Sequence, residues 1–223
     1  MNFYQQLIRK TEVDREFLLK RPVIIDCLAG EITLKTYLAF LTQAFHHVRH
    51  TVPLLMACGA RLPESLEWLR TGVAEYIEEE TGHQEWILND ITACGADAEA
   101  VRHGKPAMAT DIMVAFAWDC VSRRNPVGFF GMVLVLEGTS VQLATTAAEI
   151  IQERLKLPDK AFTYLRSHGS LDQQHIGFFE QLVNRLEQAE DRRSVLETAC
   201  VMYRLYAGVF DSLPHSRTTR EAA

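Results

Sequence analysis

Glu80 and His83 stand three residues apart in a segment of helical periodicity, so one helix face carries both a carboxylate and an imidazole. At about 100° per residue, Glu80 lines up with Leu69, Val73, Ile87 and Ile91. His83 sits at the edge of that stripe, and Glu79 falls off it toward solvent. A carboxylate on a core-facing stripe is costly unless it is paired or metal-bound. Glu137 is a second such charge, set between Leu136 and Gly138 in the least polar helical stretch of the chain. His168, Asp172 and His175 follow at steps of four and three, within about 60° on one face that continues through Leu165, Ile176, Phe179 and Leu186. Imidazole and carboxylate donors suit iron, manganese or zinc. Glu-x-x-His is also the spacing used by carboxylate-bridged di-metal bundles.

Each group has a plain alternative. Glu78–Glu80 with His83 also reads as a solvated acidic run beside a surface histidine. Glu137 could pair with Arg123 or Arg124, and His168–Asp172–His175 could form a satisfied hydrogen-bond network. Holding all three alternatives at once is harder. Two divalent cations and a bridging hydroxide would nearly balance three carboxylates, which favours a di-metal site over an uncompensated polar core. His46, His47 and His50 could add a ligand, although at least two of them read as surface residues. His103, in a loop, and His215, in the tail, receive no role. Phe129, Phe130, Phe178 and Phe179 are the candidates for an apolar pocket wall.

The elements that must position these residues are helices. Asn2 caps a helix through Lys20. Pro22 opens a short second helix that Gly30 ends. A stripe of Leu34, Leu38, Leu41, Phe45, Val48, Val52 and Leu55 marks a helix over 33–57, kinked or ended at Pro53. Residues 64–93 and 109–123 repeat the pattern, with a loop at His103–Pro106. Asn125-Pro126 caps and opens an apolar helix to about Leu155. Pro158 opens the next, with Gly169-Ser170 as a point of interruption, and 171–187 and 191–211 complete the set. The expectation is one all-α bundle of about eight helices over residues 1–213, with Leu69, Val73, Leu134, Leu165 and Phe179 in its core and a loose tail over 214–223.

Composition narrows the classes. The 223 residues are 48% hydrophobic and 23% charged, with a net charge of −6, 12 Gly and 7 Pro. That excludes a disordered chain, argues against a turn-rich β-sandwich, and makes phosphate-backbone binding a poor match. The five scattered cysteines, Cys27, Cys58, Cys94, Cys120 and Cys200, read as free thiols of a reducing compartment. Met1–Gln6 lacks the basic start of a signal peptide. The apolar stretch after Asn125 is diluted by Gly, Thr, Ser and Gln, so it reads as a core helix. A cytoplasmic location follows as an expectation, with no membrane or nucleic-acid partner and a two-fold homodimer.

Over residues 3–211 the chain resembles the heme-oxygenase-like helical superfamily, which includes thiaminase II (TenA), pyrroloquinoline-quinone synthase (PqqC) and the chlamydial CADD protein. It is most similar to the branch of di-iron oxidases and oxygenases, the iron-containing redox enzymes. The resemblance rests on Glu80-Thr81-Gly82-His83, on Glu137 and on His168-x-x-x-Asp172-x-x-His175. It implies that Glu80, His83, Glu137, His168, Asp172 and His175 ligate two irons, and it offers His47 as a site-facing residue through similarity to thiaminase II's site-lining helix. The departures count as well. The first histidine, His46, stands too far along for the heme-ligating histidine of heme oxygenase, and Ala44 occupies the segment where thiaminase II carries an active-site Asp. The mid-chain helix carries Glu137 and no cysteine.

The resulting expectation is an iron-dependent, dioxygen-activating oxidase or oxygenase, with two iron ions or else manganese, acting on a small organic acid, amine or acyl substrate. The alternatives are a metal-free hydrolase or cofactor-biosynthesis enzyme like thiaminase II or pyrroloquinoline-quinone synthase, and a non-catalytic binding or regulatory protein.

Overall fold

A computed structural model describes residues 1–214, except for the side chains of 169–174. Among the described residues there are twelve α-helices and no strand. In order they are α1 (Phe3–Lys10), α2 (Glu12–Leu19), α3 (Pro22–Leu28), α4 (Leu34–Val48), α5 (Thr51–Arg61), α6 (Glu67–Glu80), α7 (His83–Ala93), α8 (Ala98–His103), α9 (Met108–Arg123), α10 (Phe129–Leu155), α11 (Thr163–Asn184) and α12 (Ala189–Asp211). The chain is all-α, as the periodicity predicts, with the five expected core residues each at most 6% exposed.

There are more helices than the predicted eight because three long periodic runs are broken. Asn2 does cap α1, reciprocally with Gln5, but that helix stops at Lys10 and α2 begins beyond Thr11. The run over 33–57 breaks at Arg49-His50, where the Pro53 ring would collide with the carbonyl four residues back. The run over 64–93 breaks at Thr81-Gly82, where Gly82 takes φ 96° and lets α7 start afresh at His83. Short α8 has no counterpart in the predicted elements, and the expected interruption at Gly169-Ser170 is absent from the α11 backbone.

Helix α10 is the central strut, packed against α11, α12 and α3. Asn125 Oδ1 accepts the Val127 N–H at 3.0 Å, and a 3₁₀ turn at Pro126–Gly128 leads into the helix. Gly131 lets α12 pass close: a Cβ there would lie 2.5 Å from the Val195 carbonyl oxygen. By length and composition Pro126–Leu155 could cross a membrane, but 61% of its most apolar window is buried in the fold.

Two apolar clusters share this helix. One takes Phe129–Val135 with α5, α6, α9 and α12. The other takes Ala144, Ala148 and Ile151 with α4, α7 and the start of α11. Glu137 falls in the gap between them.

Candidate metal centre

The gap is filled by side chains from the end of α6, the start of α7 and the middles of α10 and α11. Glu80, the last residue of α6, is 7% exposed because Leu69, Val73 and Tyr76 carry the buried face of that helix directly to it. His83, 3% exposed, opens α7, and its Nδ1 lies 3.0 Å from Glu80 Oε2. The two therefore meet across a helix break, not on the single continuous helix the spacing predicts.

Donor atoms of Glu80, His83 and His168 all lie within 4.8 Å of one another, and so do those of Glu80, Glu137 and His175. The Glu80 carboxylate is common to both groups. The first group is two imidazoles and one carboxylate, the set that leaves open positions on a non-heme iron(II). The second is richer in carboxylate. A shared carboxylate with a histidine on either side is the donor chemistry a pair of first-row divalent ions requires, so the residues fit the group that the resemblance implies.

Supporting contacts fix the imidazoles. His175 Nε2 lies 2.9 Å from Glu79 Oε2, and its Nδ1 lies 3.5 Å from Glu137 Oε1. Glu79 is half exposed, as its position off the stripe predicts, yet it reaches His175 on α11. The indole of Trp86 stacks on His83 with centroids 4.0 Å apart. Tyr164 abuts His168 at 4.7 Å, and Tyr76 meets His175 edge-on at 5.8 Å. Asp90, fully buried on α7, caps α11: its Oδ1 accepts the Thr163 N–H at 3.0 Å and its Oδ2 the Tyr164 N–H at 2.8 Å. Burial raises the Asp90 pKa, and these backbone hydrogen bonds work against that rise.

Other expectations need correction. Arg123 and Arg124 both pair with Asp119, so neither supplies the alternative partner for Glu137. His46 and His47 are buried, at 4% and 3% exposed, and not on the surface. His50 is half-buried, with its Nδ1 accepting the Trp118 indole N–H at 3.3 Å. His47 belongs to neither donor group. It lies on the cavity wall against the Tyr206 ring, and burial pushes its pKa down to about 3, so it is neutral. The Asp172 side chain and His215 lie outside the described residues.

Beside the donor groups lies a cavity of about 160 Å³. Glu80, Glu137 and His168 reach it, together with Tyr76, Tyr164 and Tyr206. Of the four phenylalanines expected on its wall, only Phe129 lines it. Phe130 and Phe179 are wholly buried in the first apolar cluster, and Phe178 packs on that cluster beside Tyr76. Helical spacing marks a residue as inward-facing but does not separate core from cavity wall. Cys120, also buried, lies away from the cavity beside Thr198, and burial raises its pKa. The five cysteines are free thiols.

Comparison with known proteins agrees with this fold. A domain of unknown function with a heme oxygenase-like fold from Shewanella denitrificans superposes with a TM-score of 0.83 at 22% identity, covering 100% of this chain and 94% of that one. A TenA homolog from Pseudomonas syringae gives 0.76 at 14% identity, covering 95% and 93%. Heme oxygenase-1 from the cyanobacterium Synechocystis, in complex with heme, gives 0.75 at 12% identity, covering 100% and 96%. At these identities the likeness establishes a heme oxygenase-like fold. No curated protein matches the sequence. The family described as iron-containing redox enzyme matches residues 38–207, most of the chain and all of the donor residues. The chain therefore belongs to the iron-containing redox enzyme family.

Proposed function

We propose that this protein is an iron-dependent, dioxygen-activating oxidase or oxygenase acting on an organic acid, amine or acyl substrate. The observation that carries the reading is the pair of donor groups, Glu80–His83–His168 and Glu80–Glu137–His175, joined through one carboxylate on the wall of a buried cavity. Asp172, about one turn from each of the two histidines of α11, would complete the set. Bound iron(II) would supply the electrons and open coordination positions that dioxygen activation needs.

The protein's own groups have separate tasks. Glu80, Glu137 and the imidazoles hold the ions. Glu79 orients His175, as carboxylates do behind metal-bound histidines. Trp86 and Tyr164 set the ring planes of His83 and His168. The apolar wall keeps bulk water from the reacting centre.

Two features weigh against a thiaminase-like hydrolase. Cys120 does not reach the cavity, and Cys27, which does, has its pKa pushed up to about 11 by burial, so neither offers a thiolate nucleophile there. The test is anaerobic loading with Fe(II) followed by exposure to dioxygen. A transient absorbance in wild type that is absent from Glu137→Ala is the expected result. An iron-loaded wild type inert to dioxygen, with every candidate substrate, would contradict the reading.

A further inference from the structure

Trp86 follows His83 by one turn on α7 and is half-buried. Its indole lies nearly parallel to the His83 imidazole, with centroids 4.0 Å apart and 29° between the planes. It also meets the His168 ring at 6.4 Å, and His83 and His168 lie 5.0 Å from each other. One ring therefore touches both imidazoles of the first donor group. Tyr76 and Tyr164 line the cavity, whereas Trp86 stands behind the histidines, outside the lining, with part of its surface in solvent. The chain has three tryptophans, and the other two are placed differently. Trp68 lies under the Arg185 guanidinium at 4.2 Å, and Trp118 donates its N–H to His50. A phenylalanine at position 86 would hold the His83 ring as well by stacking. An indole adds an electron-rich ring that is readily oxidised.

We propose that Trp86 is the site at which the protein itself is oxidised when dioxygen reacts and the cavity holds no substrate. This rests on the iron-dependent reading above and adds a modification site to it. Dioxygen needs four electrons and four protons to become two waters. The iron pair gives two electrons on passing from iron(II) to iron(III), and a substrate would give the other two. In an empty cavity Trp86 gives them, through the stacked His83 ring. A solvent water forms a bond from its oxygen to an indole carbon, the C–H bond at that carbon breaks, and two protons return to solvent. The product is a hydroxylated indole whose added oxygen comes from water, because the ring faces solvent and not the cavity. The loss of this ring spares His83 and His168, which are closer to the reacting centre.

The experiment exposes anaerobic Fe(II)-loaded protein, without substrate, to dioxygen in isotopically labelled water, and reads the peptides by mass spectrometry. Iron uptake and dioxygen consumption are measured on the same samples. Wild type should gain one oxygen atom on Trp86, carrying the label of the water, with Trp68 and Trp118 unmodified. Iron-free protein should gain none. Trp86→Phe, which keeps the stack, should take up as much iron as wild type. In that variant the added oxygen should appear on His83 or His168, and iron capacity should fall several-fold faster over repeated exposures. Dioxygen consumed with Trp86 intact, an oxygen that carries no label, or equal modification of all three tryptophans overturns this inference alone. Iron-loaded protein that consumes no dioxygen overturns the oxygenase reading and this inference with it, and failure to take up iron overturns the metal reading beneath both.

Discussion

Glu80 and His83 meet across a break in the chain: Oε2 of the last residue of α6 lies 3.0 Å from Nδ1 of the first residue of α7. Gly82, at φ 96°, makes the break possible, and a Cβ there would touch no neighbour within 4 Å. The cost of substitution is therefore in the backbone alone.

Gly82→Ala should destabilise the fold by about 1–2 kcal/mol, the cost of a left-handed conformation for a residue with a Cβ. It should also weaken Fe(II) binding by displacing His83. Gly138→Ala is the control. That residue sits within α10 with open space around its Cβ position, and the change should be neutral or stabilising by about 0.5–1 kcal/mol. Denaturant melts of the two variants beside wild type check both signs.

Glu79→Ala should lower iron affinity about 10–100-fold, the usual effect of removing the carboxylate behind a metal-bound histidine. Glu79→Gln, which can still accept from the imidazole N–H, should recover part of the loss. The side chain is half exposed, so melting of the iron-free protein should change little in either variant. Equal iron affinity in all three proteins would leave Glu79 as a surface residue.

Asp90→Ala removes the acceptor of two buried N–H groups at the start of α11 and should cost about 1–3 kcal/mol. The raised pKa of Asp90 in the fold also has a signature in pH. A carboxyl that holds its proton more tightly when folded makes the native state the more protonated one, so its contribution to stability falls as pH rises from about 4 through the raised value. Wild type should show that fall, and Asp90→Asn should lack it. Melting temperature against pH for the two proteins is the measurement.

Most of the donor set is legible in the sequence. The apolar stripe of α10 makes Glu137 conspicuous, because a lone charge in so apolar a helix has no easy exit, and the buried face of α11 follows from its spacing. The break at Gly82 is hidden because the apolar periodicity resumes in register on its far side: Ile87 and Ile91 are buried along with Leu69 and Val73. Glu79 is half exposed, and its partner lies on α11, far along the chain, so a reading of the α6 face alone assigns it to solvent. The burial of His46 and His47 escapes the sequence because three neighbouring histidines give no apolar period. Asp90, on the inner face of α7, carries no local sign that its partners are N–H groups more than seventy residues away.

Cys120→Ala should leave iron uptake and the reaction with dioxygen unchanged, since the thiol is buried beside Thr198 and away from the cavity. Loss of activity in a variant that melts like wild type would move the chemistry to a thiol.

The number of iron ions per chain, measured by anaerobic Fe(II) titration with metal analysis, tests the shared-carboxylate centre most directly. Wild type should bind two. His168→Ala, which removes a donor from one group only, should bind one, and Glu80→Ala, which removes the residue common to both, should bind at most one, and weakly. The melting temperature should rise with Fe(II) in proportion to what is bound, because a ligand specific to the native state stabilises it by mass action. Wild type that takes up no iron at micromolar concentration and melts identically with and without Fe(II) would contradict the account.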